Sequence, residues 1–176
     1  MQLPFGWPVA IEISAVMPGP PEVVWDLLTD WEHLGDWMLE GSDFEVLSAH
    51  REGVGVRARA TISIGGLTTR DEIEVAVWEP GRRLEIEHLG WVRGRGRLDL
   101  LPLEGNATRL DWREELRNPQ LGALGSIGLT LFQPLMRRVF ERDLRVLAGL
   151  VRARRRASSS SQSSSQGRSQ SQGGSP

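Results

Sequence analysis

Residues 121–156, LGALGSIGLTLFQPLMRRVFERDLRVLAGLVRARRR, decide how the rest of the chain must be arranged. Leu121, Leu124, Gly128, Phe132, Leu135/Met136, Val139/Phe140, Leu144, Leu147 and Val151 recur at the three-or-four spacing that lays one apolar stripe along a helix. Arg137, Arg138, Glu141, Arg142, Arg145 and Arg152 fall on the other side, so the second half is amphipathic. No charge occurs between Arg117 and Arg137. The first half is therefore expected to be largely enclosed, with Gly122, Gly125 and Gly128 forming the wall of a space. Prolines, glycines and glutamines interrupt this uncharged part, whereas a membrane span needs about 20 mostly apolar residues. A folded body within the same chain must cover the stripe.

Upstream of it the apolar period changes to two. Residues 56–64 alternate apolar with polar, Gly65-Gly66 signals a hairpin, and residues 67–78 return with Ile73, Val75 and Val77 on one face. Strands follow at 83–89, 92–101 and 108–116, separated by Gly90 and by Glu104-Gly105-Asn106, and a short one precedes them at 44–49. Such short connections predict an antiparallel meander. At the other end, Val9, Ile11 and Ile13 share one side of a strand that stops at Pro18-Gly19-Pro20-Pro21. Prolines suit the first helical positions, whose N–H groups have no intrahelical partner. Val24, Trp25, Leu27, Leu28 and Trp31 then form the apolar face of a short helix, and a second short piece covers residues 31–37.

The order is thus strand, two short helices, six strands, long helix. Pro21-Glu22-Val23-Val24-Trp25-Asp26-Leu27-Leu28, then Trp31 and Trp37, then Glu79-Pro80-Gly81-Arg82-Arg83-Leu84 carry a resemblance. Gly94-x-Gly96 with Leu98, Leu100 and Pro102, followed by Ala107-Thr108-Arg109-Leu110, extends it over about residues 9–150. In this order and spacing the chain resembles the START/Bet v 1-like (SRPBCC) superfamily, in its polyketide cyclase/dehydrase and lipid-transport branch. Asn106-Ala107 departs from the pattern, in which glycine commonly precedes the threonine. The resemblance implies an α+β helix-grip fold: a curved seven-stranded antiparallel sheet, two short helices after strand 1, and a long C-terminal helix closing an apolar cavity. Such a fold hosts many reactions and fixes none.

Composition narrows the functional classes. The 176 residues contain no cysteine, lysine or tyrosine, which removes disulfides, thiolate metal sites and a cysteine nucleophile. Residues 1–136 carry 12 arginines against 21 acids, while residues 137–156 carry 8 arginines against two acids. An acidic body repels phosphate, so no nucleic-acid partner is expected. His33, His50 and His88 fall on different elements without paired spacing, and no metal site is expected. Gly90, Gly94 and Gly96 sit within a strand pattern and open no helix, so they make no phosphate loop; no Gly-x-Ser-x-Gly elbow occurs, and no cofactor is expected. The first residues lack a secretory pattern, and a cytoplasmic location is expected. Residues 1–156 form the expected domain. Residues 157–176, almost entirely Ser, Gln and Gly, are expected to be disordered.

Strand phase indicates which side chains enter the cavity. The expected lining is Trp37, Ala58, Ala60, Ile62, Ile73, Val75, Ile86, His88, Gly96, Leu98, Leu110, Trp112, Leu124, Gly128, Phe132 and Met136, with Trp37 at the entrance. Asp71, His88 and Glu114 are polar residues in the same inward phases, and a histidine beside a carboxylate can serve as a general acid/base pair. Three functions are consistent with these patterns: binding or transport of a small hydrophobic ligand (lipid, polyketide or quinone-like), a cyclase or dehydratase-like reaction using His88 with Asp71 or Glu114, and membrane or protein contact through Arg152, Arg154, Arg155 and Arg156. The apolar lining favours the first. Oligomeric state is left open.

Overall fold

The computed structural model describes residues 6–169, with side chains through Ser159. Seven strands form one antiparallel sheet: β1 (Val9–Met17), β2 (Gly41–Val46), β3 (Arg57–Ile64), β4 (Leu67–Glu79), β5 (Arg83–Leu89), β6 (Arg93–Leu103) and β7 (Ala107–Arg117). Their spatial order is β1-β7-β6-β5-β4-β3-β2, so the only non-sequential neighbours are β1 and β7. Helix α1 (Pro21–Leu28) and a 3₁₀ segment, α2 (Trp31–Asp36), connect β1 to β2 at the opposite edge. Helix α3 (Gly122–Ser169) packs back along β1 and against α1. This is the α+β helix-grip arrangement.

Local chemistry accounts for these elements. Pro20 is extended (φ −69°, ψ 161°) and Pro21 begins α1, where its fixed φ is already helical. Gly65 and Gly66 both take positive φ (59° and 82°) between Ile64 and Leu67, the geometry a two-residue hairpin turn needs. Irregular pairing between Val75 and Val77 on β4 accentuates the bend of the sheet. Trp78 emerges there and meets Trp25 edge-on, ring centroids 5.0 Å apart. Thr108, fully buried, donates its hydroxyl to Gly19 O at 2.8 Å and so ties β7 to the turn that feeds α1.

Met136, Phe140, Leu144, Leu147 and Val151 are the buried apolar residues of the second half of α3, spaced by four, four, three and four. The first half differs from expectation. Leu121, Leu124, Ile127, Leu131 and Leu135 are exposed, Leu131 to 79 % and Leu124 to 66 %. This part of the helix carries no charge on any side, so periodicity alone does not fix which side turns inward. The side that does carries Gly122, Ser126, Leu129, Phe132, Gln133 and Met136. Ser126 donates to Trp7 O at 2.7 Å and Gln133 to Ala10 O at 2.6 Å, which anchors it to the chain entering β1. Gly122 and Gly125 are therefore packing positions against that segment and against Asn118, and not the wall of a space.

The sequence places the end of the domain at Arg156; α3 continues to Ser169. Ser158 and Ser159 return their hydroxyls to the carbonyls of Arg154 and Arg156, the way serine is accommodated inside a helix. Of the tail expected at 157–176, residues 170–176 lie outside the described residues. Among the described residues, no helix is long and apolar enough to cross a membrane.

Candidate functional site

Between the concave face of the sheet and α3 lies a cavity of about 620 Å³, within the range of small-molecule sites. Of the expected lining, Trp37, Ala58, Ala60, Ile62, Ile73, Ile86, His88, Gly96, Leu98, Trp112, Phe132 and Met136 border it. Val75 and Leu110 do not: both are completely buried in packed core. Leu124 and Gly128 do not either, because they lie on the outward side of α3. From helix α3, Leu129 and Phe140 join the expected Phe132 and Met136, a stripe at i, i+3, i+7 and i+11. Trp37, expected at the entrance, is only 3 % exposed and packs edge-on against Trp112, which stacks on Phe140. The exposed apolar residues at the opening are Leu67 on the β3–β4 hairpin and Trp91 on the β5–β6 turn, beside the exposed Thr68 and Arg70. Trp31, Leu34, Met38 and Phe44 also line the cavity, beyond those the sequence indicates. Their three-or-four spacing from Trp31 to Met38 is the signal that could have found them.

The three polar residues expected in inward phases converge. His88 on β5 donates from Nδ1 to Asp71 Oδ2 on β4 at 2.6 Å, and from Nε2 to Glu114 Oε2 on β7 at 3.1 Å. Glu114 uses its other oxygen to accept the indole N–H of Trp112 at 2.8 Å. Gly96 makes this possible: it stands between Ile86 and Glu114 across two ladders, and a Cβ there would lie 2.6 Å from Glu114 Oε1. Burial opposes charging His88. The negative charge of Glu114 and the hydrogen bonds to Asp71 and Glu114 outweigh it and push the imidazole up to about 10. At neutral pH the cavity floor therefore holds an imidazolium clamped between two carboxylates. Its ring has no free nitrogen to accept a proton.

A second polar cluster closes the side of the cavity nearest α2. Glu40, a lining residue, accepts from Arg142 Nη2 at 2.9 Å, and Arg142 also donates to the fully buried Asp143 at 2.9 Å. Burial, then a hydrogen bond with Asp143 and its charge, push the Glu40 carboxyl up to about 8, against the pull of Arg142. The pair holds a proton near neutrality. Among the described residues, no group of three or more histidines or acids is arranged to hold a metal ion.

The structure of TTHA0849 from Thermus thermophilus is 30 % identical, with a TM-score of 0.67 over 82 % of this chain and 98 % of that one. The Zhui aromatase/cyclase from Streptomyces sp. R1128 superimposes with a TM-score of 0.70 at 19 % identity, over 86 % of this chain and 98 % of that one. A norcoclaurine synthase from Thalictrum superimposes at 0.63 and 12 % identity, over 84 % and 96 %. The last two likenesses concern the fold alone. No curated protein matches in sequence. The family model described as polyketide cyclase/dehydrase and lipid transport matches residues 8–152, and the chain belongs to that family.

Proposed function

We propose that the protein binds a small hydrophobic ligand of the lipid, polyketide or quinone-like kind in the cavity between sheet and α3. The observation that carries this reading is the cavity itself, about 620 Å³ with an overwhelmingly apolar wall and three clustered polar residues on its floor. Apolar walls supply affinity and a few placed polar groups supply orientation. Asp71, the more exposed of the two carboxylates beside His88, is the acceptor best placed to receive a ligand hydroxyl or amine. Native mass spectrometry of gently purified protein, followed by a panel of lipids, quinones and aromatic polyketides, tests the proposal. A bound species of small mass is expected. Its absence throughout the panel overturns the reading.

The second reading is a cyclase or dehydratase-like reaction, and the convergence of His88, Asp71 and Glu114 in the cavity supports it. Proton transfer works best when the catalytic group titrates near the working pH, and His88, held protonated to about 10, is a poor base there. Any base in this site is then Asp71 or Glu114, with His88 positioning it. His88→Gln with turnover retained and its pH profile shifted fits that role, whereas an unchanged profile removes His88 from the reaction.

A further inference from the structure

The end of the molecule at which the cavity opens is apolar where a free surface would be polar. Leu67 is 62 % exposed and Trp91 46 %, and the outward stripe of α3, Leu124, Ile127, Leu131 and Leu135, continues from them. Contact between the hairpin tip and the helix makes the surface continuous, since a Cβ on Gly65 would meet Leu135 and Phe132 at 2.8 Å. Exposed apolar residues in such a contiguous run mark an interaction site.

Charge around this patch says what it meets. Of the 12 arginines up to Arg117, nine lie within 4.0 Å of a carboxylate. Among the described residues, the three without one are Arg70, Arg93 and Arg117. All three stand at the open end: Arg70 near the start of β4, Arg93 at the start of β6 and Arg117 at the end of β7, with Arg93 and Arg117 directly paired in register. Arg138, which forms no ion pair either, follows Leu135 by three residues on the exposed stripe. Within residues 1–117, the unneutralised arginines thus gather at the end where Leu67 and Trp91 are exposed, whereas the other arginines without a carboxylate partner among the described residues, Arg145, Arg152, Arg154, Arg155 and Arg156, lie further along α3.

We propose that this end docks onto an anionic lipid bilayer. Leu67, Trp91 and the Leu124–Leu131–Leu135 stripe enter the interfacial region, and Arg70, Arg93, Arg117 and Arg138 reach lipid phosphates. An apolar helix face flanked by arginines is the pattern of an interfacial helix, and tryptophan is favoured at the same depth. A second copy of the chain fits less well. A two-fold contact through the same patch would bring two sets of unpaired arginines into one interface, and it would seal the cavity mouth. The docking is independent of which molecule the cavity holds. It also differs from the contact expected through Arg152, Arg154, Arg155 and Arg156, which lie at the far end of α3, where Arg155 donates to Pro18 O.

Flotation of the full chain with phosphatidylcholine vesicles, with and without phosphatidylglycerol, provides the test. Binding is expected only with phosphatidylglycerol, and it should weaken as salt rises. Leu124→Glu with Leu131→Glu, both at exposed positions, is expected to abolish it while circular dichroism stays unchanged. Arg93→Gln with Arg117→Gln should lower the partition coefficient about 25-fold, roughly fivefold per arginine. Brominated lipids should quench the wild type more than Trp91→Phe. Three results would overturn the proposal: no phosphatidylglycerol-dependent binding, binding that survives the leucine changes but is lost on replacing Arg152, Arg154 and Arg156, or a sedimenting dimer that Leu131→Glu dissociates.

Discussion

Gly96 stands directly across the β6–β7 ladder from Glu114, and the missing side chain of the one is the space occupied by the carboxylate of the other. Without that space Glu114 could not reach over the strand to His88. Gly96→Ala is therefore expected to displace Glu114 and to lower the His88 titration midpoint from about 10, because, against the opposing effect of burial, the charge of Glu114 is the leading contribution that raises it. Imidazole NMR titration of the three histidines, with His88→Gln to assign the resonance, measures this. An unchanged midpoint would show that Glu114 keeps its place by another route.

His88 also imposes a pH dependence on stability. Its folded pKa, about 10, exceeds the unfolded value of 6.5, so its contribution is complete below pH 6.5 and disappears as pH rises through 10. Between these limits the folded state holds a proton that the unfolded state lacks, and stability falls by at most about 1.4 kcal/mol per pH unit. With no lysine, tyrosine or cysteine in the chain, the window from pH 8.5 to 10 is almost free of other titrations. Urea midpoints across that window should decline in the wild type and stay level in His88→Gln. A parallel decline in both proteins would assign the effect elsewhere.

Glu40 acts in a lower window and with its own sign. Its folded pKa is raised from 4.5 to about 8, so here too the folded state carries the extra proton, between pH 4.5 and 8. Raising pH through that interval removes stability, which is the reverse of a salt-bridged acid. Glu40→Gln retains a polar group for Asp143 and Arg142 but cannot ionise. It is expected to flatten the stability curve from pH 5 to 8 and to exceed the wild type above pH 8. Equal loss at every pH, with the slope intact, would mean that the pair holds no proton.

What can be read from the sequence follows from how each element is constrained. Strands with alternating burial, such as Ala107–Arg117, declare both their period and their inward face, and this brings Asp71, His88 and Glu114 into one expected site from three separate strands. Helix α3 is legible where arginines mark the outer side and illegible where they do not. Between Arg117 and Arg137 both sides are uncharged, so the pattern assigns Leu124 and Gly128 to the cavity along with Phe132, whereas Leu129 borders it in their place. Trp37 departs from expectation for a different reason: the depth of the residue that ends a short 3₁₀ segment depends on what packs over it, here Trp112, and no local pattern encodes that. The Glu40–Arg142–Asp143 cluster joins residues about a hundred positions apart, with nothing in spacing to suggest it.

The cavity reading makes a prediction about volume that an ordinary core would fail. Ala60 lines the cavity and pairs across the β3–β4 ladder with Asp71, so a larger side chain there projects into the space beside the polar floor. In a close-packed interior, added methylenes force neighbours off their rotamers and cost about 1–3 kcal/mol. With some 620 Å³ available, Ala60→Leu should instead change stability by less than about 1 kcal/mol, because added apolar contact offsets what little repacking is needed. The same change is expected to shrink the site and weaken uptake of whatever small molecule the wild type carries. Urea denaturation and native mass spectrometry on one preparation separate the two effects. Retained stability with lost uptake is the result of a filled binding cavity, and a loss of overpacking size would show that the space is not held open in solution.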